Sequence, residues 1–139
     1  MQRALDLAAG GAGRTGDNPS VGCVIVKNGA VVGEGATAQG GRPHAEELAL
    51  AQAGEAARGA DVFVTLEPCA RRSTGAPSCA DRLIGADVAR VVIAAGDPHP
   101  NAAGVGVERL RAAGVAVEMG LMEAEARAVN ADFFAKWGG

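Results

Sequence analysis

Apolar residues along this chain come in short runs separated by glycine-rich turns, and the period of those runs changes as the chain advances. The stretch "SVGCVIVKNGAVVGEGA" holds two strand-length runs on either side of Asn28-Gly29. A tight two-residue turn needs positive φ at both central positions, which Asn and Gly tolerate, so the pattern predicts a β-hairpin. From His44, "HAEELALAQAGEAA" consists of good helix formers, with Glu46 and Glu47 in the first turn, where the helix dipole favours negative charge. "ADVFVTLEP" then reads as a strand stopped by Pro68. The turn formers of "CARRSTGAPSC" lead into a short helix, "CADRLIGA", with Ser78 as its N-cap. "VARVVIAAGDP" is apolar throughout, the mark of a strand covered on both faces. A helix, "VERLRAAG", and a short strand, "VAVEM", follow.

Both ends of the chain read as helical. "MQRALDLAAGGAGR" is a short amphipathic helix and carries no basic-then-apolar leader pattern. "LMEAEARAVNADFFAKW" reads as one helix, with Met122, Val129, Phe133 and Trp137 at helical spacing. That spacing predicts a core-facing stripe in preference to an aromatic stacking site. A hairpin followed by alternating strands and helices predicts an α/β sheet with helices on both faces. The 139 residues accommodate one domain and leave little room for a second.

Composition narrows this picture. Aromatic residues make up only 3%, so the core must be built from Ala, Val, Leu and Ile. The 21 glycines are about twice the usual share, which points to many tight turns and close backbone approaches. A formal charge of −3 argues against a nucleic-acid partner bound through a broad basic face. No apolar run approaches the roughly 20 residues that cross a bilayer, so a cytoplasmic, reducing location is expected. There, three cysteines point to metal ligands or buried thiols, not to disulfides. Cys23, inside "VGCVIV", is assigned to the core.

The remaining cysteines carry the chemistry. His44 opens one helix, and Cys69 and Cys79 bracket a loop between a strand and the next helix. Crossover loops of one sheet gather at its end, so the three can meet. One imidazole and two thiolates make a zinc set that leaves a fourth position for water, whereas structural zinc takes four protein ligands. Helix starts also stabilise thiolates. Zinc so held pulls the pKa of a bound water from ~15.7 toward ~7, and Glu46 is the carboxylate placed to take and return its proton. Residues two apart on a helix point about 200° from one another, so His44 and Glu46 share a site only if the helix begins there. Together "HAE" and "EPC…C" spell the zinc-deaminase signature H-x-E…P-C…C.

At these residues the chain resembles the cytidine deaminase superfamily, and within it the pyrimidine deaminases of riboflavin biosynthesis. "RALDLA", "NPSVGCVIVKNGAVVGEG", "PHAEELAL", "VTLEPC", "RVVIAAGDPHP", "GVGVERLRAAGV" and "EAEARAVNADFF" match that family in order. Nine residues separate Cys69 from Cys79, where cytidine and tRNA adenosine deaminases have two. The resemblance implies a three-layer α-β-α domain with a mixed, roughly five-stranded sheet. It implies hydrolytic deamination of a pyrimidine ribosylamine phosphate, with ammonia released. Zinc would be held by His44, Cys69 and Cys79, Glu46 would shuttle protons, and Asn18 and Asp97 would contact the substrate. Two departures fall on substrate-facing loops. "CARRSTGAPSC" is one residue longer than the family loop and lacks its histidine, so Arg71 and Arg72 are expected as phosphate contacts. Gly35-Ala36-Thr37 stands where the family often has Gly-Trp-His. The alternative expectation is a zinc deaminase of another nucleobase or nucleoside, such as guanine, cytosine or cytidine. The further expectations are residues 1–139 as a single deaminase domain without the reductase fused to it in many bacteria, no nicotinamide cofactor, and a homo-oligomer.

Overall fold

The computed structural model describes residues 1–16, 18–70, 77–99 and 102–137. Its first predicted element is the hairpin, β1 (Gly22–Lys27) and β2 (Ala30–Ala36). Asn28 and Gly29 take φ of 53° and 80°, the doubly left-handed turn that matches strand twist. The other strands are β3 (Asp61–Leu66), β4 (Arg90–Ala95) and β5 (Ala116–Met119). The sheet order is β2-β1-β3-β4-β5, antiparallel across the first three and parallel from β3 to β5. The sheet is thus mixed and five-stranded, as expected.

The helices are α1 (Gln2–Gly11), α2 (Ala45–Ala53), α3 (Cys79–Gly85), α4 (Val105–Ala112), α5 (Glu123–Val129) and α6 (Ala131–Lys136). On one face α1 lies over β1 and meets α5, while on the other α2 lies over β2 and meets α3, which meets α4. Two glycines show how close these layers come. A Cβ on Gly22 would sit 1.8 Å from the carbonyl oxygen of Ala4 in α1, and one on Gly35 would sit 2.7 Å from that of Ala45 in α2. Gly35 pairs with Cys23, the neighbour of Gly22, so the two glycines open opposite faces of the sheet. Between the layers Ile25, Val62, Val64, Leu83, Val91, Ile93 and Leu110 are fully buried, and so is Cys23, as assigned.

The C-terminal segment departs from expectation. The single predicted helix is two, α5 and α6, because Asn130 leaves the helical path at φ −121°, ψ 45°. Its side-chain amide finds a better partner: Oδ1 accepts from the N–H of Ser20 at 2.8 Å and Nδ2 donates to the Ser20 carbonyl at 2.7 Å. Asn competes for backbone groups in this way, which is why it breaks helices. The predicted core stripe is therefore corrected in part: Met122 and Phe133 are partly buried and pack against the core, but Val129 and Trp137 are not among the core residues. Ala126 and Phe134 enter the core, while Val129, Phe133 and Trp137 line a cleft and Met122 takes a left-handed conformation before α5.

Strand direction positions the site. β2 is antiparallel to β1 and β1 to β3, so β2, β3 and β4 all end at one edge of the sheet. The segments leaving that edge carry His44, Cys69 and Asp97. Open α/β sheets bind ligands at such an edge.

Candidate active site

His44 occupies the N-cap of α2 with extended backbone (φ −74°, ψ 159°), so the helix does begin at the site. Cys79 is the first residue of α3, held there by Ser78, whose hydroxyl accepts from the N–H of Asp81 at 3.1 Å. Cys69 follows β3 by three residues, and its carbonyl accepts from the N–H of Ala80 at 3.0 Å, joining it to the start of α3. These anchors bring the donor atoms together. His44 Nδ1 is 3.4 Å from Cys79 Sγ and 4.0 Å from Cys69 Sγ, and all three ligand atoms lie within 4.8 Å of one another. A tetrahedral ion with Zn–N of about 2.0 Å and Zn–S of about 2.3 Å separates its donors by about 3.5 to 3.8 Å. The residues present fit zinc in both chemistry and spacing.

The electrostatics suit a cation. The Cys69 thiol is drawn down to about 4, chiefly by its hydrogen bond with the Cys79 side chain, then by those with His44 and the Cys79 N–H, against the opposing effect of burial. That N–H lies 3.2 Å from the sulfur. Glu46 is 4% exposed, in the first turn of α2. Burial pushes its carboxyl up to about 7, opposed by a backbone hydrogen bond and reinforced by Cys69. Burial likewise raises the Cys23 thiol well above its ordinary range, with Glu46 adding to the effect.

A cleft of about 1040 Å³ opens above these groups, and His44, Glu46, Cys69, Asn18 and Asp97 all line it. Cys79 lies beneath, fully buried. Asn18 donates through Nδ2 to the carbonyl of Gly41 at 3.0 Å. Asp97 is half-buried, which raises its carboxyl, and its Oδ1 accepts from the N–H of His99 at 2.9 Å. Arg71 and Arg72 lie outside the described residues.

Glu67 and the Trp137–His99 contact escaped the reading of the sequence, and Thr37 was read only as part of the Gly35-Ala36-Thr37 departure. Glu67, 5% exposed, accepts the N–H groups of Asp97, Gly104 and Val107, each at 3.1 Å. One carboxylate thus fixes the segment that carries Asp97 and His99. Its position between a strand and Pro68 was the only available signal. Thr37 is buried and accepts the Val21 N–H through Oγ1 at 2.9 Å, extending the hairpin toward the cleft. At the outer end Trp137 stacks on His99, ring centroids 4.2 Å apart and planes tilted by 54°.

Comparisons with known proteins agree with this geometry. Residues 1–95 match the family described as "Cytidine and deoxycytidylate deaminase zinc-binding region". The chain is 53% identical over 133 residues to the riboflavin biosynthesis protein RibD of Haemophilus influenzae, covering 96% of this chain and 36% of that protein. It is 45% identical over 134 residues to the diaminohydroxyphosphoribosylamino-pyrimidine deaminase of Buchnera aphidicola from Acyrthosiphon pisum, covering 96% of this chain and 90% of that protein. Among solved structures, Acinetobacter baumannii RibD superposes with a TM-score of 0.94 at 48% identity, covering 99% of this chain and 38% of that one. The chain thus spans little more than a third of the two RibD proteins.

Proposed function

The chain belongs to the cytidine and deoxycytidylate deaminase zinc-binding family, and on that premise we propose that it hydrolytically deaminates the diaminopyrimidine ribosylamine phosphate of riboflavin biosynthesis. The observation that carries this reading is the trio of donor atoms within 4.8 Å, with buried Glu46 in the same cleft. The Buchnera relative, matched over nearly its whole length, supports the substrate named. In this proposal His44, Cys69 and Cys79 are the metal ligands. When bound there, zinc supplies Lewis acidity, making a water a nucleophile near neutral pH.

The remaining work falls to the protein. Glu46 takes a proton from the attacking water and later delivers it to the departing amine nitrogen. A C–O bond forms at the ring carbon, the C–N bond breaks, and ammonia leaves. Burial suits Glu46 to this exchange, because a carboxyl titrating near neutrality both accepts and gives up a proton readily. Asn18 and Asp97 border the pyrimidine and its sugar in the cleft, with Arg71 and Arg72 as phosphate contacts.

The context proposed for this activity is equally specific. A reducing, cytoplasmic compartment keeps Cys69 and Cys79 as thiols. No helix among the described residues is long and apolar enough to cross a membrane. A small nucleotide, not a nucleic acid, is the partner that agrees with the acidic balance of the sequence. Exposed Val31 on β2, and Met119 and Leu121 at β5, offer apolar edges for a second copy, so a homo-oligomer is the proposed state. The test is a panel measuring ammonia release from the riboflavin intermediate, cytidine, cytosine and guanine. Release from the first alone is expected, and turnover of another without it would displace the substrate assignment.

A further inference from the structure

A carboxylate in α2 that the chemistry does not use joins the start of α2 to α3, the two helices that begin at metal donors. Glu47 Oε2 accepts the backbone N–H of His44 at 2.7 Å, while Oε1 lies 3.4 Å from Nη2 of Arg82. Arg82 sits in the last turn of the short helix α3, its own N–H bonded to the Ser78 carbonyl at 2.9 Å, so it moves with Cys79. The Glu47 side chain is only 16% exposed, and the Nε of Arg82 is buried with no hydrogen-bond partner among the described residues. The Arg82 side chain is 36% exposed, so the pair is partly screened but interacts more strongly than a fully exposed one.

Packing between the two helices is thin beside this pair. Beyond the pair, α2 and α3 border an open hollow of about 400 Å³, lined by Leu50, Ala51, Gly54, Gly85 and Ala86. Leu50 turns to the core, and the small residues Ala51, Gly54, Gly85 and Ala86 leave little side-chain interlock there to set the helix separation. The fold itself is secured elsewhere, since Ala49 and Leu83 anchor the two helices in the core, each fully buried. A metal site is more demanding than a fold, because its ligand distances tolerate only about 0.2 Å.

We propose that the Glu47–Arg82 pair is a positioning device that holds the start of α2 against α3, setting the separation at which His44 and Cys79 meet the metal. This inference rests on reading His44, Cys69 and Cys79 as the donors. Zinc affinity measured by competition with a chromophoric chelator, together with the absorption spectrum of the cobalt-substituted protein, tests it without reference to turnover.

Arg82→Ala and Glu47→Gln should each weaken metal binding by about 10- to 100-fold and shift the cobalt bands. Glu47→Gln keeps a side-chain oxygen for the His44 N–H, so its loss reports the ion pair and not the helix cap. The double variant should be no weaker than either single one, as expected of partners in one interaction. Arg82→Lys, which retains the charge, should recover part of the affinity. Wild-type affinity and spectrum in Arg82→Ala would overturn the inference alone, even if Glu47→Gln failed to fold. Additive losses in the double variant would also overturn it. Wild-type protein that takes up no metal would remove the donor set and this inference together.

Discussion

Cys69 and Cys23 show how one residue type is turned to opposite ends. Hydrogen bonding with the Cys79 side chain, His44 and the Cys79 N–H draws the Cys69 thiol down to about 4, whereas burial drives the Cys23 thiol up. The thiolate is the reactive form. In chelator-treated protein at pH 6, iodoacetamide should therefore label Cys69 well before Cys23, and added zinc should suppress that labelling. Mass mapping of the modified peptides reads this directly. Equal labelling, or Cys23 first, would contradict the electrostatics described. Glu46 makes the second residue-scale case. Gln is nearly the same size but cannot carry the proton, so Glu46→Gln should keep its zinc while turnover falls about 10²- to 10⁴-fold, the usual scale for losing a general acid–base group. Near-wild-type ammonia release by that variant would assign the proton transfer to another group.

Among the elements, the hairpin and β4 were legible because their signals are local. Asn28-Gly29 needs nothing beyond itself to turn, and the apolar run of β4 announces burial on both faces. The terminal helix was misread because its break is not local. Asn130 is drawn out of the helix by the backbone of Ser20, 110 residues earlier, and periodicity carries no trace of that partner. Layer packing gives the clearest test at this scale. A Cβ at position 22 would fall 1.8 Å from the Ala4 carbonyl, so Gly22→Ala must push α1 away from β1. Overpacking of this kind costs roughly 1–3 kcal/mol or more, and urea unfolding should show it; an unchanged midpoint would mean that α1 is not held as closely as described. Glu67→Ala should cost at least about 2 kcal/mol in the same assay, since it strands three backbone N–H groups at once. Retained stability would show that water or other groups take over its role.

Taken as a whole, the molecule brings residues 44, 46, 69 and 79 together because three strands end at one edge and two helices start there. The donor types were legible, since each stands at a predicted strand–helix boundary. Their actual convergence was not, because no spacing in sequence encodes a distance of 3.4 Å across 35 residues. The family resemblance pointed to it, and the sheet topology supplies the physical cause. Glu67 and the Trp137–His99 stack stayed hidden for the same reason, as their partners lie far along the chain. X-ray absorption at the zinc edge of the purified protein tests the central claim most directly. One zinc per chain is predicted, with one nitrogen at about 2.0 Å, two sulfurs at about 2.3 Å and one light-atom ligand from solvent. A metal-free chain, or a shell with any other number of sulfurs, would contradict the account.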